Sequence, residues 1–233
     1  EKKRGVIACS AGNHAQGVAL AAQKNGIPAL ICLPEGAPIS KVEATRSYGA
    51  ELCLVPGVYD DAYNRAIELK EERGLTFIHP FDDEDVIAGQ GTIGLEILQQ
   101  VKDVDAVVVP VGGGGLISGV AFAVKSMNPK VQVYGVQASG AASMVTSLHD
   151  HKIECLPSVS TIAVGIAVKQ PGPLTFEYCS RYVDDIVTVT DEEICAAILA
   201  LIEKRKMIAE GAGATPVAAI MAGKLPQLKG KKV

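Results

Sequence analysis

Apolar residues occur in short runs rich in β-branched side chains. Longer stretches between them carry apolar positions three or four residues apart. The runs GVIAC, PALICLP, AELCLVP and LTFIHP predict strands in the first third of the chain, and AVVVPV, VQVYGVQA and DIVTVT predict three more. Between them NHAQGVALAAQKNG, ISKVEATRSYG and DDAYNRAIELKEERG predict helices, the first ended by Gly26. DVIAGQGTIGLEILQQV, LISGVAFAVKSM and DEEICAAILALIEKR continue the series. In the last of these Ile194, Ala197, Ile198, Leu201 and Ile202 form the stripe of a half-buried helix. The strands are apolar at almost every position, as parallel strands covered by helices on both faces must be. Strand–helix alternation of this kind predicts an α/β fold with two open, mostly parallel sheets flanked by helices. The acidic stretch PFDDEDV, residues 80–86, interrupts the pattern. The expected division is therefore a small α/β unit, residues 1–85, and a larger one, residues 86–233.

Composition narrows the function classes. The 233 residues are 48% hydrophobic and 21% charged, with a net charge of −4, so neither nucleic acid nor an acidic membrane surface finds electrostatic support. No apolar run reaches the roughly 18 residues that span a bilayer, and no basic-then-apolar leader opens the chain. Six cysteines, Cys9, Cys32, Cys53, Cys155, Cys179 and Cys195, form no CxxC pair and sit mostly in apolar runs, the usage of reduced thiols in a cytoplasmic protein. The four histidines lack the spacing of a zinc helix, and no metal is expected.

The most specific local feature is VVVPVGGGGLISG, with Gly112, Gly113, Gly114 and Gly115 between a strand and a helix. Ligands of open α/β sheets bind at the carboxyl ends of strands, and a helix N-terminus offers unpaired N–H groups to an anion. The dinucleotide fingerprint fails, because glycine is missing at Ile117 or Ser118 and the next strand ends in Gln137 instead of an acid. A P-loop fails for want of a following Gly-Lys-Ser/Thr. A compact monophosphate is left, beside the plainer possibility that glycine only eases strand–helix packing. On the phosphate reading, a β-branched residue at Gly114 is expected to expel the anion while the fold survives.

VIACSAGNHAQG repeats the logic near the start: a strand ending at Ser10, then Ala11, Gly12 and a helix from Asn13. Ser10 or Asn13 could serve simply as an N-cap. Two strand-to-helix sockets in one chain also suit a ligand system with two anions, a phosphate and a carboxylate.

CSAGNHAQG, AGQGTIGLE, VPVGGGGL, VDDIVTVTDEEI and EGAGA, in that order, closely resemble the serine/threonine dehydratases, pyridoxal-phosphate enzymes of the tryptophan-synthase-β type (fold type II) related to serine racemase. The resemblance covers essentially the whole chain. It implies that Gly112–Gly115, with Leu116, cradle the phosphate of pyridoxal 5′-phosphate and that Asn13 bonds the pyridoxal 3′-oxygen. It further implies that Ser10, Ala11, Gly12, Asn13 and His14 grip a substrate carboxylate. Gly165, in TIAVGIAV, and Glu210, in AEGAGA, then lie beside the cofactor ring. The implied reaction is β-elimination on L-threonine or L-serine to a 2-oxo acid and ammonia, in a homo-oligomer (dimer or tetramer) with no nucleic-acid or membrane partner; the alternatives are a catalytically inactive module that holds phosphate-bearing ligands and a relative of serine racemase.

Several departures qualify this. The family's Schiff-base lysine belongs to an SFKxRG-like motif upstream of the first strand, and nothing here matches it. Lys2 and Lys3 stand in the charged lead-in EKKRG, while Lys41 and Lys169 have solvent-facing contexts. The SGGN motif of the family is also missing after KGKKV, so the chain resembles an internal segment of a longer enzyme, with no catalytic residue of its own. Ala11 stands where the racemases carry a second, proton-abstracting serine, which favours elimination. Gln137 and Ser143 replace the acids of the racemase cation site, and Val164 replaces an aspartate common among relatives.

Overall fold

The structure, a computed structural model, describes residues 4–233, so Lys2 and Lys3 lie outside the described residues. It divides into two units, one ending at Pro80 and one beginning at Phe81.

In the first unit four parallel strands are ordered β3-β2-β1-β4: β1 Val6–Cys9, β2 Ala29–Pro34, β3 Glu51–Val55 and β4 Thr76–Phe77. Alternation along the strands sorts side chains between two layers. Ala8, Ile31 and Leu33 pack on α1 (Asn13–Asn25) and α2 (Ile39–Ser47), through Ala15, Val18, Ala19 and Val42. Ile7, Cys9, Leu30 and Cys32 point the other way, onto Ala62, Ala66 and Leu69 of α3 (Tyr59–Arg73). Helix α1 ends where the sequence places its stop, with Gly26 left-handed (φ 62°) and its N–H returned to Ala22 and Gln23 carbonyls. Two strands differ from expectation. LTFIHP yields only a two-residue ladder, and β3 is an edge strand that leaves Leu54 exposed rather than covered on both faces.

The second unit carries the parallel sheet β5-β6-β7: β5 Ala106–Pro110, β6 Gln132–Ala138 and β7 Asp185–Val189. One face packs Val107, Val109 and Val133 against α5 (Gly115–Met127), with Ile97 and Leu98 of α4 (Glu84–Gln100) behind it. The same layer takes Met144 of α6 (Ser143–His149) and Cys179 of α7 (Pro173–Tyr182). The opposite face packs Tyr134, Val136 and Val189 against α8 (Asp191–Ala200) and α9 (Gly211–Met221).

The unit boundary falls a few residues before the expected 85/86. Phe81 and Asp82 serve the second unit: the Asp82 carboxylate accepts from Leu174 and Thr175 N–H, capping α7. DEEICAAILALIEKR is also not one helix. After Ala200 the chain widens into a π-turn over Leu201–Arg205. Lys206 closes it left-handed (φ 57°), its N–H on Ile202 O and that of Met207 on Leu201 O. Ile202, expected in the buried stripe, is thereby exposed. All six cysteines are free, and among the described residues no helix is long and apolar enough to cross a membrane.

Candidate functional site

Two loops follow strand ends, one in each unit. In the first unit Ser10 extends β1 by one bond, its N–H on Cys32 O at 3.2 Å. Its Oγ then accepts from Gly12 N at 3.1 Å, folding the chain into a tight hydroxyl-closed turn. Ser10 is thus engaged ahead of the helix and does not cap it. Gly12 stands at the N-cap position of α1 with no side-chain cap, and Asn13 is the exposed first helical residue. Ala11 is half-buried and contributes a methyl only. His14 sets its Nε2 3.0 Å from Ile78 O. A carbonyl only accepts, so that nitrogen carries hydrogen. Burial pushes the His14 pKa below its ordinary value, outweighing the opposing pull of the Ile78 carbonyl. The ring is therefore held neutral in a defined tautomer.

In the second unit Val111 N–H bonds Val136 O, after which Gly112–Gly115 turn into α5. Gly113, Gly114 and Gly115 are buried, Gly112 and Leu116 half-buried. The first helical bond is Ser118 N–H to Gly114 O at 2.9 Å. Among the described residues the N–H groups of Gly112 through Ile117 find no acceptor in the protein. A row of unpaired donors in so enclosed a place is what a bound anion satisfies.

The glycines also answer a demand from the protein itself. A Cβ on Gly113 would lie 2.5 Å from the Phe81 ring, and one on Gly115 2.8 Å from Phe81 Cα. At Gly114, with φ +99°, it would meet Met144 Cε at 2.7 Å and Thr175 Cβ at 2.8 Å. Packing within the protein is therefore by itself a reason for Gly113, Gly114 and Gly115. This corrects the expectation for Gly114: a β-branched residue there collides with Met144 and Thr175, so the fold does not survive unharmed.

The structure brings Gly165 and Glu210 together beside this loop. Gly165 lies in the 3-10 turn Val164–Ile166, and Ile166 Cα would sit 3.0 Å from a Cβ on Gly112. A Cβ on Gly165 would be 3.4 Å from Glu210 Oε1, and Glu210 occupies the N-cap position of α9. Gln137 is fully buried: its Oε1 accepts from Val145 N at 2.9 Å and its Nε2 reaches Gly112 O at 3.5 Å. Ser143 Oγ, equally buried, donates to Val168 O at 2.8 Å. Both side chains thus hold the loops around the glycines. Val164 is exposed. Lys169 is exposed on the strap after Val168, and Lys41 is half-buried in α2, less open than its sequence context suggests.

Sequence reading missed Phe81, Asp82 and Thr175 as partners of the glycine loop. Thr175 is 62 residues from Gly113, to whose carbonyl its Oγ1 donates at 2.6 Å. Gly172-Pro173, a proline opening a helix, was the one local signal for α7.

Comparison with known proteins adds an independent line. The family model described as pyridoxal-phosphate dependent enzyme matches residues 1–233. The L-threonine ammonia-lyase of Thermotoga maritima is 57% identical over the whole of this chain, which spans 58% of that protein. Among solved structures, the processed form of threonine deaminase isoform 2 from Solanum lycopersicum superposes with a TM-score of 0.90 at 46% identity, over 93% of this chain and 63% of that one. Maize serine racemase gives a TM-score of 0.93 at 39% identity, over 97% of this chain and 68% of that one. The chain thus spans about three fifths of the length of the curated relative named here.

Proposed function

The chain belongs to the family of pyridoxal-phosphate dependent enzymes, and from that premise we propose that it forms the greater part of an L-threonine or L-serine ammonia-lyase. The observation that carries the reading is the row of unpaired N–H groups from Gly112 to Ile117 at the start of α5. These residues fit a phosphate monoester: donors at a helix N-terminus, no competing carboxylate from the loop itself, and burial that strengthens each bond. In this reading Gly112–Gly115 and Leu116 hold the cofactor phosphate, and Gly165 and Glu210 flank the ring. Ser10, Ala11, Gly12, Asn13 and His14 receive the substrate carboxylate, with Asn13 also bonding the 3′-oxygen. When bound, the cofactor supplies an electron sink for carbanion chemistry at Cα. The neutral His14 ring brings no positive charge to this loop, so a carboxylate there is held by hydrogen-bond donors instead of an ion pair.

The likeness to maize serine racemase raises racemisation as a second reading. Ala11 offers no hydroxyl to act as base on a second face of Cα, which favours elimination. Six free cysteines and the absence, among the described residues, of a membrane-spanning helix suit a cytoplasmic setting.

The test is a 2-oxobutanoate assay on this 233-residue chain and on a longer one that includes a lysine motif. The isolated chain is expected to bind pyridoxal phosphate weakly and to give no turnover. Covalent capture and proton abstraction both need a lysine that the resemblance puts outside it. The longer chain is expected to turn over L-threonine. Robust turnover by the 233 residues alone would reassign the catalytic lysine to one of their own.

A further inference from the structure

Thr175 lies in the first turn of α7, remote in sequence from the glycines and fully buried. Its hydroxyl accepts from Gly172 N at 3.1 Å and stands 2.6 Å from Gly113 O. Gly172 O is a poorer acceptor at 3.2 Å, and a hydroxyl has one hydrogen to give, so the short bond to Gly113 takes it. The Gly113 carbonyl shares a peptide plane with the Gly114 N–H. In a trans peptide the two point in opposite directions, so drawing the carbonyl toward α7 turns that N–H away from α7. No protein acceptor awaits it there among the described residues. Gly114, at φ +99°, leaves its own conformation no say in the matter, since glycine crosses such regions freely. The hydroxyl is itself held: Asp82 Oδ1 accepts from Leu174 N and Thr175 N, pinning the turn that carries it.

We infer that Thr175 is a positioning residue for the phosphate site: its hydroxyl fixes the Gly113–Gly114 peptide so that the Gly114 N–H faces the bound phosphate. The inference rests on the cofactor reading above and adds a residue that acts through the Gly113 carbonyl. Thr175→Val keeps the shape and removes the donor, while Thr175→Ser keeps the donor.

Binding is read by titrating the ligand-free chain with pyridoxal 5′-phosphate and, separately, with inorganic phosphate, following absorbance and the Gly114 amide resonance. The Val variant is expected to bind both probes about tenfold more weakly, with the Gly114 amide shifted before ligand is added. The Ser variant is expected to stay within about twofold of the unsubstituted chain. A role in stability alone would lower the melting temperature of the Val variant without moving the dissociation constant of the folded fraction, and that result would overturn the inference. If the Val variant does not fold, Thr175→Ala against Thr175→Ser in the same titration decides it on the same terms. No binding of either probe by the unsubstituted chain would overturn the cofactor reading and the inference together. Binding unchanged by loss of the hydroxyl would overturn the inference alone.

Discussion

At the scale of single residues, chemistry at the two loops is set by groups already committed to the backbone. His14 is the clearest case, held on Ile78 O with its pKa pushed below the ordinary 6.5 by burial. The folded chain therefore binds this proton less readily than the unfolded one, so the contribution to stability is complete above about pH 6.5 and is lost as pH falls through the folded value. A chemical-shift titration should place the His14 midpoint below the ordinary 6.5, and His14→Asn should remove this share of the acid sensitivity of the first unit. Gly114 makes the opposite demand, for no side chain at all. Gly114→Ala should cost about 1–3 kcal/mol, from left-handed strain and crowding against Met144 and Thr175. Denaturant unfolding measures it, and a loss below the lower figure would mean that Met144 yields freely. The sequence makes Gly112–Gly115 visible because four consecutive glycines at a strand–helix junction are more than a turn alone needs. Phe81 and Thr175 stay hidden, since a partner tens of residues away leaves no local mark.

Elements were legible where periodicity and caps agreed. The apolar stripe of DEEICAAILALIEKR announces α8, and the structure adds a capping box at Thr190. Thr190 Oγ1 accepts from Glu193 N at 3.3 Å, while Glu193 Oε2 accepts from Thr190 N at 2.9 Å. Thr190→Ala should destabilise the second unit by about 1 kcal/mol, measured as a shift in unfolding midpoint, with Thr190→Ser restoring most of it. The π-turn beyond Ala200 was not legible, because the apolar stripe runs on through Leu201 and Ile202 while the backbone has already left α geometry. Helix α9 was hidden for another reason. GAGATPVAAIM carries two glycines and an internal proline, each a breaker on local rules. The structure accommodates Pro216, which has no N–H to offer Ala212 O, by supplying that carbonyl with the Thr215 hydroxyl at 2.9 Å.

For the molecule as a whole, four buried clusters divide two and two, each lying within one unit. Ile31, fully buried on β2, belongs to the first. Ile31→Ala should cost about 2–5 kcal/mol, and hydrogen exchange should show the loss of protection confined to residues up to Pro80. Spread of the loss into β5 or β6 would show that the units open together. The α/β architecture was readable from alternation alone. The unit boundary was misplaced because its acidic stretch looks like a linker, yet its first residues already belong to the second unit: Phe81 lies against the glycines and Asp82 caps α7.

The packing of the glycine loop bears on how such chains should be judged in genomes. Phe81, Met144 and Thr175 press on Gly113, Gly114 and Gly115 where any Cβ would stand. A descendant that lost its cofactor, its lysine and all turnover would still be selected to keep those three glycines, simply to stay folded. Their retention across lineages is therefore no witness to surviving activity.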